Sequence, residues 1–140
     1  MIDQLNAAKT VIKSALDGQI FVDEDGPTTL KFFLGSLPGK REAPGNGQDV
    51  PFCLLEPGGF EFTKEGKSQE VQTTLGLYIP GGNLEALQRF NDIITAVESI
   101  STKLFTPCKL VGKGIGQAPT IDHPFYQVTI SINLYKPRVQ

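Results

Sequence analysis

Val71-Gln72-Thr73-Thr74-Leu75-Gly76-Leu77-Tyr78-Ile79 is the stretch from which the fold can be read. Val71, Thr73, Leu75, Leu77 and Ile79 fall on one face of an extended chain, and Gln72, Thr74 and Tyr78 on the other. This is the pattern of a strand in an antiparallel sheet with one side buried and the other wet or met by a neighbour. Pro80-Gly81-Gly82 ends the alternation, and Asn83, a good N-cap residue, opens a long amphipathic helix. At about 100° per residue, Leu87, Phe90, Ile93, Ile94, Val97, Ile100 and Leu104 project into an apolar arc of about 140°, with Leu84 beside it. That is wide for a helix resting on a sheet alone. A first helix or another subunit is therefore expected against its flank.

Working outward, the same alternation returns near the C-terminus. Tyr126, Val128, Ile130, Ile132 and Leu134 point inward, Gln127, Thr129, Ser131, Asn133 and Tyr135 outward, and Lys136-Pro137 ends the strand. Between them, Cys108 to Val111 reads as a short strand and Gly112 to Pro119 as a loop. On the other side, Pro51 to Leu55 reads as a short buried strand with Pro at its first position, where the missing N–H matters least. Pro57 to Ser68 reads as a flexible stretch, suited to the tip of a hairpin joining Leu54 to Val71. Gly35 to Val50, rich in Gly, Pro and polar residues, reads as a long flexible loop. At the N-terminus, Ile2, Leu5, Ala8, Ile12, Ala15 and Leu16 mark one stripe of a first helix, which Gly18 is suited to close. Gln19 to Val22 and Thr28 to Leu34 read as two strands around an acidic turn, the second covered on both faces.

These elements imply a one-domain α+β fold over residues 1–140: an antiparallel or mixed sheet of about four to six strands, two helices packed on one face, and a long flexible loop or hairpin. With 140 residues and 39% apolar content, including nine Phe and no Trp, the composition is ordinary for a globular domain. No apolar run is long enough to span a bilayer, and no basic, apolar-cored leader opens the chain, so a cytosolic product is expected. Thirteen basic and fifteen acidic residues leave a formal charge of −2, which argues against a dedicated nucleic-acid binder.

No residue set has the makings of an active site. Glu61 stands where a phosphate-binding loop ending in Gly66-Lys67-Ser68 requires Gly, and a strand follows where that loop requires a helix. Gly112-Lys113-Gly114-Ile115-Gly116 lacks dinucleotide-binding spacing. His123 is the single histidine, so acid–base chemistry would rest on Asp122 and His123, adjacent residues that point apart in an extended chain. Asp23, Glu24 and Asp25 lack the ligand spacing of a calcium loop. Cys53 and Cys108 form no C-x-x-C and read as small buried apolar residues. No catalytic residue, metal or cofactor is expected. The sharper candidates are Phe60 and Phe62, which share a face if extended and sit among Lys64 and Lys67. They form a candidate partner-docking loop, with Lys40 and Arg41 of the Gly35–Val50 segment as a second set.

Taken in order, Pro51-Phe-Cys-Leu-Leu-Glu-Pro-Gly-Gly, Val71-Gln-Thr-Thr-Leu-Gly-Leu-Tyr-Ile, the helix around Leu87-Gln-Arg-Phe-Asn-Asp-Ile-Ile, and Ile121-Asp-His-Pro-Phe-Tyr-Gln-Val-Thr-Ile-Ser-Ile-Asn-Leu resemble the tail-terminator and neck, or head-tail joining, proteins of long-tailed bacteriophages and prophages. The resemblance covers about residues 51 to 135. It implies a non-enzymatic structural protein of the virion, present in the bacterial cytoplasm during assembly. It also implies a homo-oligomeric, hexameric ring that meets a tail tube protein and head connector proteins, with no membrane and no sequence-specific nucleic acid as partner. A different class of reading remains open: a small ferredoxin-like sensing domain that binds a metabolite at a subunit interface, which requires a formed pocket with converging polar groups.

Overall fold

The computed structural model describes residues 2–35, 50–100, 104–105 and 108–138. Lys40 and Arg41, and all but the ends of the expected Gly35–Val50 loop, lie outside the described residues. Over the described residues the chain is α+β, with two helices and a mixed sheet of eight strands. The six stretches expected as strands become eight because Thr28–Leu34 divides in two and Leu104–Phe105 adds a short strand.

The two alternating stretches form the centre of the sheet. Strand β5 (Gly66–Tyr78) and strand β8 (Phe125–Pro137) pair antiparallel over their whole lengths, from Gly66↔Pro137 to Tyr78↔Phe125. Val71, Thr73, Leu75 and Leu77 on β5, and Tyr126, Val128, Ile130, Ile132 and Leu134 on β8, are all buried, as the alternation predicts. The opposite face is half-buried and polar, tied across the strands by Thr74 and Thr129 hydroxyls 3.3 Å apart and by Ser131 Oγ donating to Glu70 Oε2 at 3.0 Å.

Helix α1 (Ile2–Ala15) buries Leu5, Ala8 and Ile12, together with Gln4, Ala7 and Val11; Ile2, at the end of the expected stripe, is exposed. It closes at Gly18, whose φ of 89° is in the left-handed region that glycine adopts without strain. Strands β1 (Phe21–Asp23) and β2 (Gly26–Thr28) make a small hairpin, and β3 (Lys31–Leu34) follows. The expected Thr28–Leu34 strand is thus split, and it is not covered on both faces, since Lys31 and Leu34 are exposed. β3 pairs parallel with the start of β4 (Phe52–Phe62), which makes the sheet mixed.

Helix α2 (Asn83–Glu98) begins one residue earlier than the capping argument requires. Gly82 occupies the N-cap and Asn83 is already helical, so no side chain caps the helix. Its buried side is Ala86, Phe90, Ile93 and Val97, while Ile94 and Ile100 pack at the margin. Leu87, part of the expected arc, is exposed, and Leu104 falls after the helix in β6 (Leu104–Phe105). The inward side is therefore narrower than the sequence projection, and small Ala86 lies at its centre. Buried residues of both helices join those of β4, β5, β7 and β8 in one apolar cluster, where α1 lies beside α2. Arg89 Nη2 donates to the Ile20 carbonyl at 2.6 Å, tying α2 to the link between α1 and β1.

Two expected loops are strands. Residues 57–62 extend β4 and residues 66–68 begin β5, leaving Thr63–Glu65 as the turn of a long hairpin. The register shifts between Pro57 and Phe60, and there the buried Gln69 Nε2 donates to the Gly58 carbonyl at 2.8 Å, in place of a regular ladder bond. Gly112 to Pro119 lies inside β7 (Cys108–Asp122), a 15-residue strand that pairs with β8 through three register shifts. Gly116 and Pro119 fall at these shifts, where a bulge tolerates them, whereas Gly112 and Gly114 pair in register with Asn133 and Ser131.

Candidate partner-docking site

The hairpin tip is held by its own backbone and by the end of β8. Thr63 N–H donates to the Gly66 carbonyl at 2.8 Å, and its hydroxyl oxygen accepts from the N–H groups of Glu65 at 3.3 Å and Gly66 at 3.2 Å. The Arg138 N–H donates to the Glu65 carbonyl at 2.6 Å, which anchors the turn to the strand beside it. Gly66 is buried, and a Cβ there would lie 2.3 Å from the Lys136 carbonyl oxygen.

On this fixed platform Phe60 and Phe62, two residues apart on one strand, point to the same side. Their rings meet edge to face with centroids 5.2 Å apart, and they are 55% and 68% exposed. Lys67, opposite Phe62 in the ladder, places its ammonium 4.8 Å from the Phe60 ring centre and 5.3 Å from that of Phe62. The cation lies over two π faces, an attractive arrangement that also restrains the rings. Lys64 projects from the turn and is exposed. Four of the six expected docking residues are therefore on one hairpin, with Phe60, Phe62 and Lys67 in contact; Lys40 and Arg41 are not described.

Sequence reasoning missed Lys136 and Arg138. The β5–β8 register sets Lys67 opposite Lys136 and Gly66 opposite Pro137, so an open groove of about 460 Å³ forms between the hairpin tip and the end of β8, lined by Phe62, Lys67, Lys136 and Arg138. Nothing local in the sequence marks this, because the groove is made by pairing residues some seventy positions apart. Lys136 is further held by Asp3 of α1. The hydrogen bond and charge of Lys136 draw the Asp3 carboxyl below its ordinary range, and the hydrogen bond that Lys136 Nζ donates to Asp3 raises the pKa of the Lys136 ammonium.

The remaining chemical candidates are placed elsewhere. His123 sits in the β7–β8 turn, where its Nδ1 is 2.8 Å from the Tyr126 hydroxyl. That hydrogen bond goes to a core tyrosine rather than to Asp122. Cys53 and Cys108 are free thiols with no exposed surface, and burial raises both pKa values. The Gly66-Lys67-Ser68 segment is the start of β5 and forms no phosphate-binding loop. Among the described residues no three His, Cys, Asp or Glu side chains converge to hold a metal, and no helix is long and apolar enough to cross a membrane. No protein-family model matches the chain, and no curated protein matches it either.

Proposed function

We propose that this chain is a structural protein of a long-tailed phage or prophage, one that forms a ring terminating the tail tube or joining tail to head. Six copies of the subunit make the ring, and it works by binding rather than by catalysis. The order and spacing of residues 51–135, which resemble the tail-terminator and neck proteins, support this reading. The observation that carries it is the Phe60–Phe62 pair: two large aromatic side chains, each more than half exposed, are held beneath Lys67 at the end of a hairpin. Exposed aromatic residues on a fixed platform have little conformational entropy left to lose when a partner covers them, which favours them as anchors. Lys64 and Lys67 flank the pair and keep the free protein soluble. The tube protein or the head connector is the partner assigned to this hairpin.

The test is F60S/F62S. Both side chains point away from the core, so the melting temperature is expected to stay within about 3 °C of wild type, while joining of tails, scored as infectious or tube-capped particles, falls sharply. Normal particle yield from the double variant would remove the hairpin from the joint.

A further inference from the structure

The two ends of the central sheet differ in charge. The groove beside the hairpin tip is bounded by Lys67, Lys136 and Arg138, and among the described residues no carboxylate lines it. Lys136 is held by Asp3, whereas Lys67 and Arg138 have no ion-pair partner among the described residues. At the other end of β5, Val22 pairs with Tyr78 and brings the β1–β2 turn alongside. There the Asp25 N–H donates to Asp23 Oδ1 at 2.8 Å, folding Asp23, Glu24 and Asp25 into one acidic turn. Glu24 and Asp25 are exposed, and none of the three has an ion-pair partner among the described residues. Gly66 and Tyr78 bound the same strand and lie about 40 Å apart. The groove and the turn of one molecule therefore cannot meet, but those of two molecules can.

We propose that the Asp23–Asp25 turn of one copy seats in the Lys67–Arg138 groove of the next, joining copies head to tail. The two surfaces are different patches at opposite ends of a rigid strand, so the contact is heterologous. Repeated, such a contact closes into a ring when the rotation per copy divides the circle, and otherwise runs on as a filament. The inference rests on the ring reading and names the contact between its subunits. It uses the cations of the groove and leaves the exposed edges of Phe60 and Phe62 to the tube or connector.

Light scattering over a concentration series compares the wild type with K67E/R138E, with E24K/D25K, and with all four changes together; Asp23 is kept because it folds the turn. Each charge-reversed pair is expected to raise the concentration at half assembly by about tenfold or more, and the fourfold variant to return to within about threefold of wild type. Wild-type assembly should also weaken as salt is raised. Reversed variants that assemble normally would overturn the contact and leave the ring reading standing. A fourfold variant that is folded by circular dichroism yet stays dispersed would overturn it in favour of an acidic segment from another protein. A wild type that remains monomeric to its solubility limit would remove both.

Discussion

At Gly76 the absence of a side chain makes room for a neighbour. A Cβ at this position would lie 2.2 Å from Cε2 of Phe52, the residue it faces across the β4–β5 ladder. Gly76→Ala is therefore expected to destabilise the fold by about 1–3 kcal/mol, read as a lower urea midpoint. An unchanged midpoint would mean that the Phe52 ring is packed elsewhere. The cysteines make a second case at this scale. Cys53 and Cys108 are fully enclosed and their thiols are held protonated by burial, so a thiol reagent at neutral pH should label neither in the native protein and both in denaturant. Rapid native labelling of either would contradict its placement. Composition and spacing already pointed to small buried thiols, and alternation already divided β5 and β8 into inward and outward residues. What lies over Gly76 was not readable, because a missing side chain does not say what occupies its space.

Element boundaries show where local reading stops. The strands at 71–79 and 126–135, and both helices, were legible because periodicity is a property of neighbouring residues. The hairpin joining Leu54 to Val71 was legible too, but the extended course of 57–62 and 112–119 was not, since Gly and Pro report what the backbone permits locally, whereas a long ladder with β5 or β8 supplies hydrogen bonds that hold the same residues extended. The start of α2 carries the same lesson: the chain bends at Gly81, Gly82 takes the N-cap position, and Asn83 is already inside the helix. The attachment of α1 to β8 through Asp3 and Lys136 gives a prediction at this scale. The lowered Asp3 pKa means that its contribution is present above the ordinary value of 3.8 and is lost as pH falls through the lower, folded value. The raised Lys136 pKa means that its contribution is present below 10.5 and is lost as pH rises through the higher, folded value. Asp3→Asn should lower the melting temperature slightly at pH 7, and less so in 0.5 M salt because the pair is partly exposed. The difference from wild type should shrink on acidification below 3.8. A gap that persists unchanged in strong acid would show that Asp3 acts otherwise than by its charge.

For the whole molecule, chain order does not give spatial order. β5 takes β8 on one edge and β4, then β1, on the other, and β3 enters parallel to β4. That arrangement carries a cationic groove at one end of a strand about 40 Å long and an acidic turn near the other, and the charge-reversal series tests whether copies use both. Phe60, Phe62 and Lys67 were recognisable as a set from their spacing and residue type. Lys136 and Arg138 joined them through a register between strands far apart in the chain.

The amino-acid order sufficed for the α+β class, for the inward faces of the two central strands, and for the aromatic pair between lysines, because each is written in residues a few positions apart. The eight-strand mixed order, the two long strands hidden under Gly and Pro, and the groove beside the aromatic pair came from folding alone. They depend on which strands become neighbours and in what register, and those choices are made by burial of the common core and by backbone groups that must find partners across the sheet.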